Sequence, residues 1–303
     1  RIIGDIPIFV ALDSVDVWAN PDLFHFDEEL RPTVQSGVPP DYFSKTGQLW
    51  GHPIYRWDVM AQRGYAWWVA RFQMAFTQSD VVRVDHFRGF YNYWEVPAGE
   101  KTAVKGRWVL GPGAELFRAA NREIGDVTII AEDLGDFDQE SRAGVDALQR
   151  EFGYPGMKVM QFAFWTNPQE PFLPHNFDST AWVVYTGTHD NDTVVGWWEE
   201  TSTEGERAFA RAYLDTDGAD IAWDMIRMAW GTVGNTAMTT AQDLLRLGHG
   251  SRMNTPSTLG PPNWCWRLLP GALTPEIAGR LRELTRLTNR LPAEGKAAEM
   301  PQA

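Results

Sequence analysis

Apolar residues in this chain gather into short runs separated by amphipathic stretches. RIIGDIPIFV (1–10), DVVRVDHF (80–87), DVTIIAED (126–133), MKVMQFAF (157–164), TAWVVYTGTHD (180–190) and NTAMTTAQDL (235–244) each read as a strand. Helical spacing appears between several of them. AQRGYAWWVARFQMAF places Trp68, Phe72 and Phe76 four residues apart, and GAELFRAANREIG and DQESRAGVDALQREFG each stop at a glycine. DTDGADIAWDMIRMAWG reads as a helical insertion. A last helix, TPEIAGRLRELTRLTNR, has Thr274 as its cap, Pro275 in the first turn and a stripe of Ile277, Leu281, Leu284 and Leu287. Residues 20–58 carry little helical pattern and are rich in Pro, Gly and aromatics, which predicts a long binding loop or lid.

Apolar strands alternating with amphipathic helices predict a parallel sheet with helices outside it. Six strands in one long domain suggest most of an α/β (β/α)8 TIM barrel with helical insertions, with an open doubly wound sheet as the alternative. No internal repeat or low-complexity block is visible. A length of 303 residues suits one large α/β domain, expected over 1–291, with a loose tail at 292–303.

The formal net charge of −13 argues against a nucleic-acid backbone or an anionic membrane as partner. Cys265 is the only cysteine, so no intrachain disulfide forms and a cytoplasmic location is expected. No run has the length of a membrane span and no signal peptide opens the chain. The chain does open on Arg1 and directly on a strand, and upstream sequence is expected. The 15 tryptophans read first as core filling, with sugar platforms as the second reading.

Three strands end in acid, and in a parallel barrel the reactive groups sit at the C-terminal ends of strands. VVRVD ends at Asp85, TIIAED at Glu132 and Asp133, and VVYTGTHDND at Asp190 and Asp192. Arg83 and Asp85, two apart on a strand, share a face, and an arginine beside a carboxylate keeps it ionised. Glu132 follows an apolar run with no cation next to it in sequence, so burial raises its pKa and suits it to general acid work. Two carboxylates with split protonation are the machinery of retaining glycosyl transfer. Each motif singly reads as well as an ion pair or a strand end; their coincidence at three strand ends favours catalysis. THDND also raises a metal site through His189, Asp190 and Asp192, but its spacing matches no metal motif, and no metal or cofactor is expected. GPGAE and GTVGN are glycine turns rather than phosphate loops.

GDIPIFVALDSVDVWANPDLF, PPDYFSKTGQLWGHPIY, RVDHFRGF, IIAEDLG, GMKVMQF, YTGTHDNDT and RMNTP together resemble the 4-α-glucanotransferases called amylomaltases or disproportionating enzymes, of the α-amylase clan. The resemblance runs from Ile2 to about Arg290. It implies a (β/α)8 barrel and a retaining double displacement on maltooligosaccharides, amylose or starch, or glycogen-derived glucans. By motif match Asp85 is the nucleophile, Glu132 the general acid/base and Asp190 the transition-state stabiliser. Arg83, His86 and His189 line the sugar subsite next to the scissile bond. Asp41, Tyr42, Phe43, Gln48 and Trp50 match a mobile acceptor-side loop, and Phe162 and Asn254 match further contacts. Trp50 is read as a stacking ring in a loop, and Phe162, on a strand, as either packing or contact. Family members carry a longer N-terminal part, so this chain is expected to start at barrel strand three, with exposed sheet edges, and to be unstable or inactive alone. An α-glucan hydrolase of the same clan and a non-catalytic glucan-binding fragment are the alternatives.

Overall fold

A computed structural model describes residues 1–40 and 44–292. Its strands are β1 (Ile3–Pro7), β2 (Val34–Val38), β3 (Gln48–Pro53), β4 (Val81–Asp85), β5 (Asn92–Pro97), β6 (Arg107–Leu110), β7 (Ile129–Ala131), β8 (Gly156–Val159), β9 (Trp182–Tyr185) and β10 (Thr236–Met238). The chain divides into two compact units, Arg1–Gly156 and Met157 onward. Each contains a three-stranded sheet, in the order β1-β4-β7 and β10-β9-β8. The pairings β1–β4, β4–β7 and β9–β10 are parallel. All six expected strands therefore form, as a mixed α/β arrangement.

In the first unit, β4 is central and buried through Val84, as its largely apolar run requires, with Arg83 the one charge inside it. Helix Ala66–Gln78 lies in the chain between β1 and β4, and helix Ala114–Ile124 between β4 and β7. Trp68 and Phe72 of the former meet Phe90 and Phe117 in a dense aromatic core. Helix Gln139–Phe152 begins where Asp138 accepts from the Ser141 N–H and ends at Gly153, whose φ of 69° suits a residue without Cβ.

Several expectations change. The stretch 20–58 is not one long loop: it supplies β2 and β3 of an antiparallel sheet ordered β3-β2-β5-β6. The helix expected from Ala61 is interrupted at Gly64 and Tyr65, so helices Trp57–Gln62 and Ala66–Gln78 replace it. MKVMQFAF is a strand only to Val159 and then a 3-10 turn, Met160–Phe164. NTAMTTAQDL likewise changes at Thr240, which caps the short helix Ala241–Leu244. In the final helix, Pro275–Leu287, Leu284 is buried but Leu287 is exposed. The expected tail lies, from residue 293, outside the described residues.

The core of the second unit gathers on helix Ile221–Trp230, whose Trp223, Met225, Ile226 and Ala229 are buried. Among the described residues no helix is long and apolar enough to cross a membrane.

The antiparallel sheet is fastened to the turn after β4 by a close backbone approach at Gly111. Its N–H donates to the Tyr91 carbonyl at 2.7 Å, and a Cβ there would lie 2.4 Å from the Phe90 carbonyl oxygen and 2.5 Å from that of Gly89. Backbone atoms cannot swing aside as a side chain does, so Gly111→Ala forces the sheet off the turn. We expect a loss of about 1–3 kcal/mol, the usual range for overpacking, read as a lowered urea midpoint. An unchanged midpoint would show that the approach is not tight.

Candidate active site

The site in the first unit begins with register. Val84 of β4 pairs with Ala131 of β7, so the next residues along, Asp85 and Glu132, leave the sheet side by side. The ladder continues beyond the named strands: the Glu132 N–H donates to the Val84 carbonyl and the Phe87 N–H to that of Glu132. Arg83, on the same face as Asp85, is buried and holds two carboxylates. Its Nη1 donates to both oxygens of Asp5 on β1, and its Nη2 lies 3.0 Å from Asp85 Oδ1. Asp5 was not foreseen as a partner. It stands opposite Arg83 in the β1–β4 register, a pairing 78 residues apart in sequence.

After Asp85 the chain turns left-handed at His86 (φ 51°, ψ 48°) and enters the 3-10 turn Phe87–Phe90. That turn aims the His86 N–H at Glu132 Oε2, 2.7 Å away, while the Leu134 N–H reaches Oε1 at 2.8 Å. Both oxygens of Glu132 are thereby fixed by main-chain donors. Burial of its carboxyl and the negative charge of Asp85 nevertheless push its pKa up from 4.5 to about 7; Arg83 and the two N–H groups oppose this without prevailing. The raised pKa expected from sequence is present, and Asp85 is a second cause that only the register reveals. Burial and the Arg88 charge push the His86 imidazole down to about 3, so it is neutral. Its Nε2 is buried without a protein partner among the described residues.

Trp50 is the first correction to the site. It lies on β3, not in a loop, and its ring stands edge-on to His86 with centroids 4.8 Å apart. Gln48, two residues earlier, accepts from the Trp50 indole N–H at 3.3 Å. Asp41, Tyr42 and Phe43 lie outside the described residues.

In the second unit, β9 ends at Tyr185, and Thr188 and Asn191 hydrogen-bond to each other to shape the THDND turn. Asn254 Nδ2 donates to Asp190 Oδ1 at 2.6 Å, and His189 Nε2 is 3.3 Å from Oδ2. Arg252 ties the turn to the next loop by donating to the carbonyls of Asp190 and Asn254. Within RMNTP, Arg252 was not singled out from the sequence, although an arginine two residues from Asn254 is a natural backbone clamp. Asp192 turns away to His249 Nδ1, 2.6 Å off, and raises the His249 pKa. Among the described residues no three His, Cys, Asp or Glu side chains assemble a metal site. Phe162, the second correction, is on the 3-10 turn after β8 and is half-buried against Phe172 and Trp165.

A family model described as 4-alpha-glucanotransferase matches residues 1–273. The chain is 51% identical to the 4-alpha-glucanotransferase of Thermus thermophilus, over 96% of its own length and 58% of the relative's. It is 45% identical to a chloroplastic/amyloplastic 4-alpha-glucanotransferase of Arabidopsis thaliana, over 96% of this chain and 50% of that one. Among solved structures it superposes on the amylomaltase of Streptococcus agalactiae in complex with acarbose with a TM-score of 0.88 at 41% identity, covering 96% of this chain and 58% of the other. A TM-score of 0.75 against the amylomaltase of Corynebacterium glutamicum, at 18% identity and with 94% and 46% covered, extends the likeness of fold. The chain belongs to the 4-alpha-glucanotransferase family. It spans about half the length of these relatives.

The proton on Glu132 sets a pH signature. Its folded pKa of about 7 is above the ordinary 4.5, so its contribution to stability is full below pH 4.5 and is lost as pH rises through 7. His86 acts oppositely, losing stability as pH falls below its ordinary 6.5 toward 3. Wild type minus Glu132→Gln isolates the first effect. That difference should fall by on the order of 2 kcal/mol between pH 4.5 and 8, discounted because the residue as a whole is half-buried although its carboxyl is enclosed. Urea titrations across this range test it, and a flat difference removes the raised pKa.

Proposed function

We propose that the whole protein is a 4-alpha-glucanotransferase that moves α-1,4-glucan segments between maltooligosaccharides, starch chains or glycogen-derived glucans by a retaining double displacement. The observation that carries this is Asp85 beside Glu132 on neighbouring strands, with Arg83 against the first and a raised pKa on the second. Neighbouring strands run about 4.8 Å apart, close to the roughly 5–5.5 Å between carboxyl groups that retaining enzymes use.

In the first displacement an Asp85 carboxylate oxygen attacks C1 of the glucosyl unit. The C1–O bond to the leaving chain breaks, and that oxygen takes the proton from Glu132. In the second, an acceptor hydroxyl gives its proton to the Glu132 carboxylate as its oxygen bonds to C1 and the bond to Asp85 breaks. A pKa of about 7 lets one group serve both steps at neutral pH. Arg83 keeps the departing carboxylate paired, and neutral His86 offers hydrogen bonds to a sugar hydroxyl without adding charge. Asp190, gripped by Asn254 and His189, is the stabiliser of the oxocarbenium-like transition state. Gln48 and Trp50, with Asp41, Tyr42 and Phe43, serve the acceptor, and Phe162 borders the glucan.

The strands are read as part of a (β/α)8 barrel, with one catalytic domain over residues 1–291 and a tail at 292–303. The cytoplasmic placement rests on a single cysteine, Cys265, exposed and unbridged. No metal or cofactor is assigned a role.

In the whole gene product, Asp85→Asn should lower transfer from maltotriose by roughly a thousandfold or more, as for loss of a nucleophile. The assay separates longer glucans from free glucose, with circular dichroism to verify folding. A folded variant keeping near-normal turnover removes Asp85 as nucleophile, and glucose without longer products favours the hydrolase reading.

Trp50 tests the acceptor side. Losing its ring should weaken acceptor binding by about 1–1.5 kcal/mol, which shifts the ratio of transfer to hydrolysis up to about tenfold toward water. The check is Trp50→Ala, with glucose transferred measured against reducing ends released. Equal losses in both would make Trp50 a packing residue.

A further inference from the structure

Trp264 is held in place by its loop and yet left uncovered. Its backbone is left-handed (φ 61°), a conformation bulky residues rarely adopt. Hydrogen bonds around it impose that conformation. The Trp264 N–H donates to the Met253 carbonyl at 2.7 Å, and Arg267 Nη1 donates to the Trp264 carbonyl at 2.9 Å. Just before it, Asn263 accepts from the Thr255 N–H and donates to Thr258 Oγ1 at 2.8 Å. A strained residue so fully determined by its surroundings is characteristic of a ligand clamp.

The ring is placed beside the Asp190 cluster. Its centroid is 5.1 Å from that of the His189 ring, with 41° between the planes. His189 adjoins Asp190, and Arg252 ties the Asp190 and Asn254 carbonyls into one body with this loop. Despite that contact, Trp264 is 54% exposed. A core tryptophan such as Trp68 is fully buried. The loop thus positions a large flat ring and leaves more than half of the residue uncovered.

We propose that Trp264 is a substrate-binding residue: an aromatic wall on which a neutral pyranose ring stacks, next to the sugar whose hydroxyls meet Asn254, His189 and Asp190. A glucosyl unit fits this pairing because its C–H face is apolar while its rim is hydroxyl-rich. The identity of the sugar rests on the proposed function. Leu259 (99% exposed) and Leu269 (72% exposed) are uncovered in the same segment, and they raise the rival reading of a protein-docking surface. Neither is a flat ring in contact with His189.

The test uses the whole gene product acting on maltotriose. Trp264→Ala should raise KM about tenfold with kcat changed by less than about threefold. Trp264→Phe should recover most of the loss, and Leu269→Ser should leave KM unchanged. The proposal is overturned by an unchanged KM in a folded Trp264→Ala, by a fall in kcat alone, by Phe performing no better than Ala, or by an equal rise in KM for Leu269→Ser. If Trp264→Ala does not fold, Trp264→Gly, which also relieves the left-handed backbone, takes its place. Misfolding of both makes the ring structural and ends the proposal. Absence of any transfer by wild type would defeat the proposed function instead. Calorimetric titration of maltotetraose would then still decide the platform, with about tenfold weaker binding by Trp264→Ala expected and equal binding overturning it.

Discussion

One guanidinium has to satisfy two carboxylates. Arg83 is buried in the central strand of its sheet, with Asp5 on one side at 2.8 Å and Asp85 on the other at 3.0 Å. A buried charge without partners is expensive, and removing one member of such a group costs about 3–5 kcal/mol. That constraint fixes the three strands to one another. Asp5 must lie opposite Arg83 on β1, Asp85 must share its face, and Glu132 then falls beside Asp85 through the β7 pairing. The negative charge that Arg83 anchors is in turn one of the reasons Glu132 retains its proton to about pH 7. Structural pairing and the raised proton affinity of Glu132 arise from the same few atoms.

Asp85 and Glu132 were legible because they end predominantly apolar runs, broken in β4 only by Arg83. A buried parallel strand has no polar alternation, so VVRVD and TIIA declare themselves, and a charge at their end stands out. The antiparallel sheet was not legible for the converse reason. β2 and β3 are largely half-buried, rich in glycine and proline, and lack clean alternation, so the stretch read as a loop. MKVMQFAF failed differently: apolar except for Lys158 and Gln161, it gave periodicity too little with which to tell a strand from a tight turn at Met160. Asp5 with Arg83, and Trp50 with His86, are tertiary pairings that local pattern does not contain.

The two units solve a similar problem by different means. In the first, opposite charge and main-chain N–H groups fix the carboxylates. In the second, an amide does so: Asn254 reaches Asp190 at 2.6 Å, and Arg252 spends its donors on backbone carbonyls, holding the loop rather than the carboxylate side chain. Asp192, two residues from Asp190, is committed to His249 and to the Thr193 N–H. Of two neighbouring aspartates, one is therefore structural and the other is presented.

The contact between Trp50 and His86 carries a thermodynamic consequence. The His86 ring touches Trp50, and the His86 main-chain N–H is one of the two donors on Glu132. A ligand that moves the Trp50 ring and thereby strains that hydrogen bond changes the affinity of Glu132 for its proton. Reciprocity then requires the proton to alter the affinity for that ligand by the same factor. Occupancy beside Trp50 and the charge on Glu132 become two variables of one binding polynomial, so an apparent affinity quoted without its pH would describe only one section through it.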